Sequence, residues 1–358
     1  MGAVTFGTPG VLGRAQRRAV ALAETFPLAL AAETAAAAVI SGVGGLAMML
    51  PIDGAKRSNG SVLQMDLLIY NMPLALTAGA LICVIAVSIT AAIDSSRLAW
   101  SAVFAAAVAM LLNHVVLVRL ETRSLSTLNY VDCALAGVIL GCVAVAVWPR
   151  PVAVAGYLFG ALSSILVADL AQPSDFGTTL PGLDFWRGSP PLWLILAALA
   201  LMLISGLVYR PPQRTHSTDD SAVVPMKPVL SAVVIYTGVL GSSMLMAHHT
   251  TIGSIVIGAV VLFAATAVAA LMLPGRDGLL VVAMVAFAPA GSAVFTVPRP
   301  GWSTGLVVAG VVIGLYLGRR LRNPYLALAG SLLLAVSAIA TASLTDTPGA
   351  AVTVPGCL

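Results

Sequence analysis

Long apolar runs follow one another along almost the whole chain, and no other feature limits the fold so severely. Stretches such as 190–209 and 251–273 contain no charged residue at all. About 20 apolar residues in a helix match the hydrocarbon thickness of a bilayer. Inside that layer no water is available to backbone N–H and C=O groups, so each must find a partner within the protein, as it does in a helix or a closed barrel. Barrel strands alternate apolar and polar residues, whereas these runs are continuous. Composition agrees: 59% of residues are hydrophobic and 9% charged, against about 25% charged in a soluble domain. The expected fold class is therefore all-α integral membrane.

Eleven spans are predicted, at 27–50, 67–92, 98–118, 127–148, 152–170, 190–209, 229–247, 251–273, 279–297, 303–318 and 325–344. The shorter ones, 303–318 above all, would stand nearly upright or thin the bilayer. Most connections are short, which makes consecutive helices antiparallel neighbours. The longest polar stretch, 210–228, is rich in proline and charge and reads as a linker. The expected organisation is an N-terminal segment (1–26), a six-helix bundle (27–209), the linker (210–228), a five-helix half (229–344) and a tail (345–358).

The net charge is +4, and no basic tract interleaved with aromatics points to nucleic acid. Orientation follows from where Lys and Arg fall. With the N-terminus in the cytoplasm, the inner loops carry twelve basic residues, including Arg14, Arg97, Arg150, Arg210 and Arg319, and the outer loops six, including Lys56 and Arg119. The expectation is a multi-pass protein of the inner (plasma) membrane with its N-terminus cytoplasmic and its C-terminus outside. The basic N-terminus leads into a full-length span, as in a signal-anchor rather than a cleaved signal peptide. Cys83, Cys133 and Cys142 lie in apolar runs and Cys357 in the tail, with neither zinc-ligand nor disulfide spacing. Cys357 is also too near the end for prenylation. No Walker A loop appears, and no cofactor or metal is expected.

Polar residues inside the spans are the candidates for chemistry. Glu33 sits in an apolar helix, where an ionised carboxylate costs about 2.5–3.5 kcal/mol on insertion scales. It is either a proton-coupling or cation-binding group, or an acid closer to an interface than the span suggests. Asp132 is a second cavity candidate; its alternative is a first-turn acid favoured by the helix dipole. Asn113 and His114 lie towards the outer part of their span. A histidine titrates near neutral pH and can relay protons, but such a residue also serves as an interhelical hydrogen-bonding group. His248-His249 in an outer turn has no carboxylate or cysteine beside it in sequence. Gly137–Gly141 and Gly156–Gly160 have the GxxxG spacing of closely approaching helices.

Several stretches resemble the major facilitator superfamily, in its 14-helix drug/proton antiporter branch. They are Pro51-Ile52 followed by SVLQMDLLIYNMPLALTAGALI (61–82), WPRPVAVAGYLFGALSSIL (148–166), DFWRGSPPLWLILAALALML (184–203) and GVVIGLYLGRRLRNPYLALAGSLLLAVSAIATA (310–342). The resemblance spans most of the chain by layout and degenerate patches. It implies a six-helix N-terminal bundle followed by an incomplete C-terminal half, with spans seven and eight as the branch's two central extra helices. It also implies that Glu33 and Asp132 face one central space. Asp94 and Arg97, with Arg319, would act as gating-loop charges; the positive-inside rule accounts for the arginines equally. The sequence departs from the pattern in three places. AAIDSSRLAW (91–100) lacks the family's glycines, Gly42 stands at the helix 1 acid position, and the chain stops after the counterpart of the eleventh helix.

The expected function is a secondary transporter that couples protons to export of a small amphipathic or lipid-like molecule, with the lipid bilayer as its solvent. The alternative is a non-transporting membrane subunit or scaffold of an envelope complex, held by a protein partner; a homodimer is the arrangement that would complete the bundle. A membrane enzyme ranks third, because the outer acids Asp169, Asp175 and Asp184 have no general-base partner in their loop. The expectation is no catalytic residue.

Overall fold

The structure, a computed structural model, describes residues 30–50, 62–93, 95–116, 125–171, 190–208, 226–248, 252–273 and 277–282, with 285, 313 and 316. Every element among them is a helix: α1 (Leu30–Met49), α2 (Val62–Ile93), α3 (Ser96–Val115), α4 (Leu125–Val147), α5 (Pro151–Ala171), α6 (Leu192–Val208), α7 (Met226–His248) and α8 (Ile252–Met272). Five of them, α1 to α4 and α7, contain stretches long and apolar enough to cross a membrane. The apolar stretches at Pro151–Ile165, Leu192–Ser205 and Val256–Met272 are shorter. The described residues thus form an all-α architecture of apolar helices, as a membrane protein requires. Of the last three expected spans, 279–297 and 303–318 fall almost wholly, and 325–344 wholly, outside the described residues.

Local chemistry sets the helix ends. Ser95 caps α3, its Oγ accepting from the Leu98 N–H at 3.3 Å. Between α4 and α5 the turn is tight: Arg150 N–H donates to the Val147 carbonyl at 2.9 Å, and Pro151 opens α5. Proline suits that first position, where its missing N–H has no partner to lose. Trp148 stands out of this turn, 77% exposed, as interfacial tryptophans do.

Helices in lipid gain little hydrophobic drive from touching one another, so small residues and interhelical hydrogen bonds decide which pairs form. On α2 and α4 these are Gly79, Gly137 and Gly141. A Cβ at Gly79 would lie 2.5 Å from the Cys133 carbonyl oxygen, one at Gly141 would lie 2.5 Å from that of Cys83, and one at Gly137 would collide with that of Gly79. Contacts rise in number together on both helices, so α2 and α4 run parallel. The same holds for α1 and α5. A Cβ at Gly156 would lie 2.6 Å from the Thr34 carbonyl oxygen, and one at Gly160 would collide with that of Ala38. The Ser41 hydroxyl donates to the Tyr157 carbonyl at 2.9 Å.

These two pairs match residue by residue. Gly156 meets the carbonyl of Thr34 as Gly79 meets that of Cys133; Gly42 faces Gly160 as Gly141 faces Cys83. So α1 corresponds to α4 and α5 to α2. The remaining contacts obey the same exchange: α3 packs on α4, Leu194 of α6 packs against the buried cluster that holds Leu46 and Leu50 of α1, and α3 packs on α6. Helices α1–α3 and α4–α6 are therefore two copies of one three-helix arrangement. An odd number of crossings turns the second copy over, and α1 runs antiparallel to α4, with Gly44 against Leu140. The result is an inverted repeat. Its trace survives in sequence: ETAAAAVISG (33–42) and DCALAGVILG (132–141) share five of ten residues. Ala37, Ile40 and Val43 of α1 meet Ala136, Ile139 and Cys142 of α4 in one buried core.

Helix α7 packs on α2, and α8 folds back along α7. Ser231 Oγ donates to the Ala269 carbonyl at 3.3 Å, and Gly238 admits Ala265. The faces turned outward are apolar, Phe263 and Leu271 among them, as a lipid solvent requires.

Candidate functional site

Two buried carboxylates mark the seam between α1 and α4. Glu33 comes from the first turn of α1 and is almost fully buried. Its Oε2 pairs with Nη1 of Arg150, which the short α4–α5 turn delivers to the start of α1. Glu33 Oε1 has no hydrogen-bond partner among the described residues. Burial lowers the Arg150 pKa from its usual value, but a guanidinium stays charged in proteins. With Glu33 ionised, the two charges cancel.

Asp132 on α4 is equally buried. Its partners come from the last turn of α3, which runs antiparallel to α4. Asn113 Nδ2 donates to Asp132 Oδ1 at 2.6 Å and to the Leu128 carbonyl at 3.3 Å. His114 Nε2 stands 2.9 Å from Asp132 Oδ2, with both side chains at most 5% exposed. The ring N–H is not aimed along that line, so Nε2 makes a close contact without a well-directed hydrogen bond. Asn113 Oδ1 is likewise buried without a partner among the described residues.

The expected site residues thus sort into separate groups. Asn113, His114 and Asp132 come together. Glu33 does not join them: Asp132 and Arg150 lie roughly 27 Å apart along α4 and its turn at about 1.5 Å per helical residue, so the carboxylates occupy opposite ends of the seam rather than one space. Arg97 is exposed in the first turn of α3. Asp94 and Arg319 lie outside the described residues, as do Asp175, Asp184, His249 and the side chains of Asp169 and His248. Among the described residues no three His, Cys, Asp or Glu side chains gather as metal ligands would.

The inverted repeat explains the placement. Thr34 and Cys133 are counterparts, and the residue before each is an acid, Glu33 and Asp132. The residue that sequence reasoning passed over is Arg150, counted there only among the inner-loop arginines. The WPRP turn and the recurrence of E-T-A-x-A-x-V-I-x-G as D-C-A-x-A-x-V-I-x-G were the available signals. No family model, no curated protein and no solved structure matches this chain.

Proposed function

We propose that the chain is a secondary transporter of the major facilitator type, exporting a small amphipathic molecule in exchange for protons. The observation that carries this reading is the pair of buried carboxylates at equivalent positions of an inverted repeat, one at each end of the α1–α4 seam. Buried acids in membrane helices mark ion or proton pathways. Inverted repeats are the common scaffold of alternating access, in which one unit rocks against another. In the orientation expected from the arginine count, Glu33 and Arg150 close the cytoplasmic end and Asp132 the outer end.

The second reading, a membrane scaffold, draws on the Glu33–Arg150 pair itself. A carboxylate already neutralised by a guanidinium is also what a static helix clasp needs. The discriminating experiment reconstitutes the chain in proteoliposomes with an imposed pH difference and a panel of lipophilic cations and lipids. Substrate-dependent proton movement, abolished by neutralising a carboxylate, is the expected outcome. A scaffold would move no proton with any panel member, would tolerate neutralisation of both acids, and would co-purify with a partner.

A further inference from the structure

The two carboxylates differ in what each needs in order to be electrically neutral. Arg150 brings a permanent positive charge to Glu33, so that pair is neutral with no added proton. Asp132 has no such partner among the described residues. Around it stand Asn113 and His114 from α3 and Tyr130 and Cys133 from α4 itself. On the α2 side the backbone at Gly79 and the Met48 side chain that α1 sends there lie beside Cys133. None of these carries a fixed positive charge. With His114 neutral and Asp132 ionised, the cluster holds one uncompensated negative charge deep in a low-dielectric seam, a costly arrangement. One added proton cancels it, whether it rests on the carboxyl or on the imidazole.

We propose that Asp132, His114 and Asn113 form the proton-carrying site of this chain, and that Glu33–Arg150 is a proton-independent clasp at the other end of the seam. Asn113 fixes which oxygen takes the proton. By donating to Oδ1 and to the Leu128 carbonyl, it keeps Oδ1 as an acceptor and leaves Oδ2 facing His114 Nε2. The proton is exchanged with water and rests between Oδ2 and Nε2, which stand 2.9 Å apart. At 2.9 Å the two atoms are already within hydrogen-bond reach, so sharing a proton needs no change in their separation. The inference rests on the transport reading only for the use made of the proton; its binding can be tested alone.

The test uses the full chain in lipid nanodiscs without any substrate. Infrared difference spectra between acid and alkaline pH report carboxyl and imidazole protonation. The wild type is expected to show a component of about one proton per chain shared by the coupled pair. D132N should lose that component, and E33Q should keep its full amplitude. Should D132N fail to fold, H114Q, which retains the carboxyl, should shift the pH at which the component appears. Loss in E33Q with retention in D132N, an unchanged titration in H114Q, or no such component in the wild type would overturn the proposal. A wild type that binds this proton yet moves none with any transported candidate would sink the transport reading and leave the site standing.

Discussion

Glu33 and Asp132 occupy the same place in two copies of one three-helix unit, yet the copies neutralise their acids in opposite ways. In the first copy a guanidinium arrives from a turn at the end of the neighbouring helix. In the second, an amide and an imidazole arrive from the last turn of α3. The backbone around them is nearly identical in kind: glycine on carbonyl, parallel helices, small residues at each crossing. Packing is therefore what the repeat conserves, and the charge of the acid's partner is where its halves diverge. A repeat that kept both packing and charge would have two equivalent sites; this one pairs one acid with a guanidinium and the other with an amide and an imidazole.

The equivalence of the copies is most easily broken at the glycines. Gly137→Leu and Gly160→Leu each drive a side chain into a carbonyl of the facing helix. Overpacking typically costs ~1–3 kcal/mol, and here the obstacle is backbone, so both variants should exceed that in detergent-unfolding titrations. If one is tolerated and the other is not, the copies do not pack alike. Next in size is Arg150→Met, which leaves Glu33 buried without its counter-charge. Removing one partner of a buried pair costs about 3–5 kcal/mol, and the R150M/E33Q double variant should recover most of the loss. A milder effect is expected of Asp132→Asn, which keeps the shape and can still accept from Asn113 Nδ2. A single hydrogen-bond adjustment of this kind is worth about 0.5–1.5 kcal/mol, so stability should fall far less than in R150M. Smallest of all is Gly241→Ala, where an added methyl meets nothing within 4 Å and the midpoint should stay within about 0.5 kcal/mol of wild type.

Much of this molecule was legible in its sequence, for reasons that also explain what was not. Helices α1 to α8 fall within a few residues of the expected spans, save that α2 begins earlier, at Val62. Apolar length is a one-dimensional property, and lipid leaves a continuous apolar run few alternatives to a helix. The polar residues were also visible, since a carboxylate in an apolar run stands out. Their partners were not. Arg150 looked like any loop arginine because the turn that aims it at Glu33 is a three-dimensional fact. The meeting of Asn113, His114 and Asp132 follows from the α3–α4 hairpin, yet which faces meet depends on helix rotation, which spacing alone leaves open. The inverted repeat was written in ETAAAAVISG and DCALAGVILG but required the glycine contacts to show that these stretches occupy the same place.

The contrast between the two acids is tested most directly by a double-mutant cycle on each pair, Glu33 with Arg150 and Asp132 with His114, measured in lipid at mildly acid and mildly alkaline pH. A coupling for Glu33–Arg150 that is strong and unchanged between the two conditions is predicted, together with one for Asp132–His114 that changes with pH. A pH-dependent Glu33–Arg150 coupling beside a constant Asp132–His114 coupling would contradict the account.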